Sequence, residues 1–187
     1  MREMIAAVYP TQRTQAVEPA IVQASPVKVA KVTVVGAQPS PPVRALRALY
    51  ASVEAVRAAH VAAGLDFEIG PLRARFPEAQ AGSPWTWHWV LAVSVPDNTI
   101  SVPQLDPDLR VEIEVWVYDR VAELVHEGTE ETKPASVQRL LEFVLAKGFR
   151  PAGVREEIYL GTGPAGGRTL LRYQILAASR GLQRRAL

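Results

Sequence analysis

The residues of this chain best equipped for chemistry are aromatic and acidic. Trp85, Trp87 and Trp89 take every second position between Pro84 and Pro96, and the chain holds only four tryptophans. On a β-strand, positions i, i+2 and i+4 point to one side of the sheet. The three indoles therefore share a face, which Leu91, Val93 and Val95 continue. Such a face suits ordinary core, a covering partner chain, or a stacking wall for a flat organic ligand. A second set lies in Arg155-Glu-Glu-Ile-Tyr-Leu160. If Ile158 and Leu160 pack against helices, Glu157 and Tyr159 share the opposite face, and Glu156 points away from them as a structural or exposed residue. On residues 110–118, Glu112, Glu114, Trp116 and Tyr118 alternate with Val111, Ile113, Val115 and Val117. Tyr173 belongs to a further strand.

Indole and phenol rings attract cations, by roughly 0.5–2 kcal/mol per good contact. A carboxylate among such rings is poorly solvated and needs a cation or a hydrogen-bond donor to offset that cost. A bound organic cation would supply it. A protonated carboxyl would instead serve as a general acid. The candidate ligand-binding residues are Glu157, Tyr159, Trp85, Trp87, Trp89, Trp116 and Tyr173. Glu157 is also the candidate catalytic residue if the site turns its ligand over.

Other chemistries find little footing. The chain has no cysteine, so disulfides, thiolate metal sites and cysteine nucleophiles are excluded. Three histidines without metal-ligand spacing give no reason to expect a metal, and no cofactor is expected. His126 reads as a hydrogen-bonding structural residue, His60 as a helix-end residue, and His88 as facing away from the indoles. The glycine-rich run 161–167 connects two strands and opens no helix, so it is no phosphate cradle. No Gly-x-Ser-x-Gly elbow occurs. A formal charge of +2 is too small to argue for nucleic acid, and the arginines at 180, 184 and 185 read as a solvated tail. With no apolar run near 20 residues and no leader pattern, a soluble cytoplasmic protein without membrane contact is expected.

The elements that must position these residues come in two similar runs. Residues 20–24 and 27–35 read as a strand interrupted at Pro26. A turn follows over 36–42, then a helix with Val43, Leu46, Leu49, Tyr50, Val53, Val56 and His60 at helical spacing, stopped by Gly64. Strands are expected at 72–76 and 85–95. The order recurs: a strand over 110–126 bending near Asp119, a turn, a helix over 135–147 opened by Pro134 and closed by Gly148, and strands at 155–160 and 169–177. The expected fold is α+β. Two strand-helix-strand-strand units, related by a pseudo-twofold, build a curved antiparallel sheet with helices on one face and a ligand cleft on the other. Residues 1–17 form a loose lead-in, 18–178 a single domain (repeat one about 18–96, linker 97–109, repeat two about 110–178), and 179–187 a basic tail.

Three stretches carry a family likeness. They are Val121-Ala-Glu-Leu-Val-His-Glu-Gly128, the run 137–148 followed by Phe149-Arg-Pro-Ala-Gly153, and Arg155-Glu-Glu-Ile-Tyr-Leu160. They resemble the GyrI-like, or bacterial effector-binding, family: its strand ending in His-x-Gly, its helix ending in Gly-aromatic-x-Pro-x-Gly, and its Glu-Ile-Tyr strand. Residues 18–22 and 27–36 resemble the family's opening strands, so the likeness covers residues 18–178. It implies a duplicated α+β domain with a central cleft for aromatic, often cationic, organic molecules. In the family's multidrug-sensing regulators a buried glutamate meets the ligand, and that role maps onto Glu157. Some stand-alone members are hydrolases that open strained cyclopropane rings of DNA-alkylating natural products. Others inhibit DNA gyrase by protein contact. The segment before residue 18 is too short for a helix-turn-helix domain, so no direct DNA binding is expected. The resemblance thus implies a stand-alone domain that binds an aromatic small molecule, with a hydrolase and a protein-interaction module as rivals and a homodimer or protein partner as company.

Overall fold

The structure, a computed structural model, describes residues 18–36, 41–77, 87–163 and 166–178. The elements run β1 (Ala20–Gln23), β2 (Val27–Gly36), α1 (Val43–Ala62), β3 (Arg73–Phe76), β4 (Trp87–Ser94), β5 (Val111–Trp116), β6 (Arg120–Gly128), α2 (Lys133–Ala146), β7 (Phe149–Gly163) and β8 (Gly166–Ala177). The eight strands form one sheet in the order β1-β6-β8-β7-β3-β4-β2-β5, with antiparallel neighbours throughout. This is the α+β architecture expected from the sequence.

The helices form where apolar spacing demands them. Ala45, Ala48, Leu49, Ser52, Val53 and Val56 are the buried stripe of α1, and Leu140 and Val144 anchor α2. Past each helix a glycine in the left-handed region, Gly64 at φ 76° and Gly148 at φ 78°, turns the chain away. The linker lies along α1. The buried Ser52 hydroxyl donates to the Pro103 carbonyl at 2.7 Å, and Arg44 pairs with Asp106 and Asp108.

The long strands are shared. β1 pairs with β6 in the register Ala20↔Glu123, and β2 pairs with β5 in the register Val27↔Trp116. The Ala24 amide donates to the Asp119 carbonyl between them, keeping one register from end to end. β1–β2 and β5–β6 thus make one antiparallel ribbon, and each repeat lends its first strand to the other repeat's half of the sheet. Away from the ribbon, the halves meet where four-residue β3 pairs with β7, Ala74 opposite Glu157.

Both faces of this curved sheet carry buried clusters. Paired residues share a face, so Leu171, Glu157, Ala74, Leu91, Val32 and Val111 form a row on one side. That side carries the helices: α1 packs on Ala30, Val32, Ala74, Leu91 and Val93, and α2 on Ala122, Leu124 and Leu171. The other side holds Val29, Ala92, Trp116, Tyr118 and Val121 in one cluster and Val125, Ile158 and Leu170 in another.

A carboxylate ties the two halves on this second face. Glu156 is only 2% exposed. The Tyr118 hydroxyl donates to it at 2.7 Å, Arg73 at 2.9 Å and Arg75 at 3.1 Å, and Arg172 lies 4.0 Å away. The two arginines of β3 come from repeat one, while Glu156 and Arg172 come from repeat two. Replacing Glu156 by Ala strands the Arg73 and Arg75 guanidinium groups without their counter-charge, while Arg172 keeps Glu123. Urea unfolding should show a loss of about 3–5 kcal/mol, and a smaller loss for Glu156→Gln, which still accepts from Tyr118.

Candidate functional site

The strip of sheet between the two helices is floored by Glu157. Its carboxylate is 1% exposed. Lys133, the first residue of α2, donates to Glu157 Oε2 at 2.8 Å and to Glu130 at 2.6 Å. Strand alternation brings Arg155 and Tyr159 to the same side. The Tyr159 hydroxyl donates to Glu157 Oε2 at 3.2 Å, and Arg155 Nε stands 3.0 Å from Oε1. Pairing with neighbouring strands adds Phe76, opposite Arg155, whose guanidinium lies 4.9 Å from the ring centroid. Trp89 meets Phe76 edge-on at 5.0 Å, and Tyr173 lies against Arg155. Lys133 also stands 5.5 Å from the centre of the Tyr159 ring.

This set is charged, aromatic and incompletely satisfied. The Arg155–Glu157 contact is close enough for an ion pair, but its geometry is not that of a hydrogen bond. Among the described residues, Glu157 Oε1, Arg155 Nε and Trp89 Nε1 are buried and have no hydrogen-bond partner. Buried polar groups are nearly always paired; here Arg155 Nε and Glu157 Oε1 face each other 3.0 Å apart without hydrogen-bond alignment, and Trp89 Nε1 lies beyond Phe76 in the α1 core. Burial, followed by the adjacent Glu157 carboxylate, pushes the Tyr159 phenol well above the usual tyrosine range. Burial raises Tyr173 as well. Both hydroxyls are therefore proton donors at neutral pH.

The structure gathers some of the expected site residues and separates others. Glu157, Tyr159, Tyr173 and Trp89 share one face. That face is the one covered by the helices, whereas strand patterning put Glu157 and Tyr159 on the face away from them. The reason is that Ile158 and Leu160 find an apolar home with Val125 and Leu170 on the face opposite the helices. Trp89 is 2% exposed and packs in the α1 core, so it is no open wall. Trp116 sits on the opposite face with the Arg75 guanidinium stacked 3.7 Å from its ring, so it does not join Glu157. Trp85 lies outside the described residues. Trp87 contributes backbone to β4, and its side chain is likewise outside them. Glu156 faces away from Glu157 in the structural role described above. His126 is buried, with the Ser136 hydroxyl at 2.9 Å and the Thr129 carbonyl at 3.1 Å from its ring nitrogens.

Sequence reasoning missed Lys133, Arg155 and Phe76. Arg155 was detectable, since it lies two residues before Glu157 on the same strand. Lys133 carried a weaker signal: a cation at the first position of a helix opposes the helix dipole and needs carboxylates such as Glu130 and Glu157 nearby. Among the described residues no cluster of His, Cys, Asp or Glu is placed to hold a metal, and no helix is long and apolar enough to cross a membrane. Two surface depressions, of about 430 and 650 Å³, lie elsewhere, beside Glu54, Arg57 and Phe67 and along the edge of β5.

No family model and no curated protein matches the chain. Solved structures do. An uncharacterized conserved protein from Listeria innocua is 17% identical, with a TM-score of 0.73 over 87% of this chain and 94% of its own. A hydrolase from Listeria innocua is 16% identical, with a TM-score of 0.72 over 87% of this chain and 94% of its own. The C-terminal domain of EcmrR is 9% identical, with a TM-score of 0.54 over 86% of this chain and 98% of its own. The fold is shared with these proteins. At such low identity the likeness is one of architecture, consistent with the GyrI-like resemblance of the sequence.

The buried phenols give this region a pH dependence. Tyr159 and Tyr173 hold their protons more tightly folded than unfolded. Their contribution to stability is intact below the unfolded tyrosine value of about 10 and is lost as pH rises beyond it. Urea unfolding followed from about pH 9 to 11 should show falling stability, and Tyr159→Phe should make that fall shallower.

Proposed function

We propose that this protein binds a flat aromatic small molecule over Glu157, between α1 and α2. The observation that carries the reading is the incompletely satisfied Glu157–Arg155 pair, whose buried Oε1 and Nε make no hydrogen bond, among the rings of Tyr159, Tyr173 and Phe76. Leaving such atoms unpaired costs about 1–3 kcal/mol each. A few convergent polar groups among aromatic rings are what orient a ligand in a pocket. Adjacent rings supply flat contact area beyond those polar anchors. Glu157 and Trp89 are closed off from solvent, so a ligand enters by displacing the half-buried Tyr159, Tyr173 and Arg155. The GyrI-like resemblance, which maps a ligand-meeting glutamate onto Glu157, points the same way.

Hydrolysis is the second reading, favoured by the 3.2 Å contact between Tyr159 and Glu157 and by the similar Listeria innocua structure described as a hydrolase. In that reading the phenol protonates the leaving atom while Glu157 takes the proton of the attacking water. The family resemblance suggests strained cyclopropane rings as substrates.

A thermal-shift and tryptophan-fluorescence screen of planar aromatic compounds tests both readings. A binder present at 100 times its Kd should stabilise the protein by about 2.7 kcal/mol, and Glu157→Gln should weaken it by about tenfold or more. If no planar compound shifts either signal, the binding proposal is wrong. Turnover of a spirocyclopropane substrate that disappears in both Glu157→Gln and Tyr159→Phe would promote the hydrolase.

A further inference from the structure

Resting on the ligand-binding reading, we infer that the Glu157 site takes uncharged aromatic ligands carrying both a hydrogen-bond donor and an acceptor, and disfavours organic cations. The charge inventory of the floor is the basis. One buried carboxylate, Glu157, already faces two cations: Lys133, 2.8 Å from Oε2, and Arg155, 3.0 Å from Oε1. Their side chains are 6% and 24% exposed, so neither swings freely in water. The other carboxylate on Lys133 is Glu130, 2.6 Å away, with a side chain 55% exposed. Lys133 and Arg155 thus already offset Glu157 and Glu130, and no negative charge is left over for a ligand. An organic cation arriving over Glu157 meets two like charges within the reach of the one opposite charge.

The unpartnered atoms define the complementary ligand. Trp89 Nε1 and Arg155 Nε, the latter facing Glu157 Oε1 at 3.0 Å without hydrogen-bond alignment, are donors that an acceptor such as a carbonyl oxygen would satisfy. Glu157 Oε1 is an acceptor and calls for an N–H or O–H. A planar amide, lactam or phenolic ketone carries both on one rigid frame without formal charge. Lys133 is fixed where it stands by more than Glu157. It belongs to the first turn of α2, next to Pro134, and its ammonium bridges Glu130 and Glu157. Displacing it for a cationic ligand would return Glu157 to a cation-binding site at the cost of both of its contacts.

Two planar tricyclic probes of matched shape decide the matter. Acridone is uncharged and carries an N–H and a carbonyl; 9-aminoacridine is a cation at neutral pH. Isothermal titration of the wild-type protein at neutral pH should give acridone a Kd lower than that of 9-aminoacridine by about tenfold or more. Lys133→Met and Arg155→Met each remove one positive charge and should narrow or reverse that preference. The two variants are independent, and each is first checked for a cooperative thermal transition. Equal or tighter binding of 9-aminoacridine by the wild type, with sensitivity to Glu157→Gln, would overturn the charge preference and leave the binding site standing. If neither probe binds, and the compound screen above also finds nothing, the binding reading itself falls and this inference with it.

Discussion

Four antiparallel residue pairs, Arg73–Phe76 of β3 against Arg155–Ile158 of β7, hold the interior of this protein in place. They are where the two repeats meet across the middle of the sheet. Because neighbouring residues on a strand point to opposite sides, this short pairing sends Glu156 to one face and Glu157 to the other. Each carboxylate then draws its own cations: Arg73, Arg75 and Arg172 around Glu156, and Lys133 and Arg155 around Glu157. A slip of one residue would exchange the two environments. The aromatic rings follow the same logic, with Tyr118 serving Glu156 and Tyr159 serving Glu157.

The two adjacent glutamates differ in how completely they are satisfied. Both oxygens of Glu156 accept hydrogen bonds, from a phenol and two guanidinium groups. Such a network rigidifies and specifies a fold. Glu157 keeps one oxygen without a hydrogen bond, opposite an arginine that is poorly aligned with it. The contrast separates a structural carboxylate from a candidate functional one better than burial does, since both are almost fully enclosed.

Much of this fold was legible from residue spacing. The helices announced themselves by apolar periodicity between Pro42 and Gly64 and between Pro134 and Gly148, and most strands by alternation. β7, at Phe149–Gly163, is longer than the strand expected at 155–160, and it includes Pro151 and Gly153. The chain passes through both as strand, with a register shift between Ala152 and Glu156, and bulges are where sheets accommodate such residues. At the site, alternation correctly grouped Glu157 with Tyr159. It could not tell which face meets the helices, because a curved sheet offers apolar surroundings on both sides. Trp116 shows the same limit: its strand position was legible, its separation from Glu157 was not. Lys133 required the topology itself, since only the packing of α2 beside β7 brings residue 133 to residue 157.

The exchanged edge strands bear on how the chain acquires its shape. Neither repeat owns a complete set of sheet neighbours: β1 completes the half built from β6, β7 and β8, and β5 completes the half built from β2, β3 and β4. During synthesis Ala20 emerges about a hundred residues before its partner Glu123. Contacts this distant in sequence slow the search for the native arrangement. They also bind the two repeats into one cooperative unit, which gains its order late and as a whole.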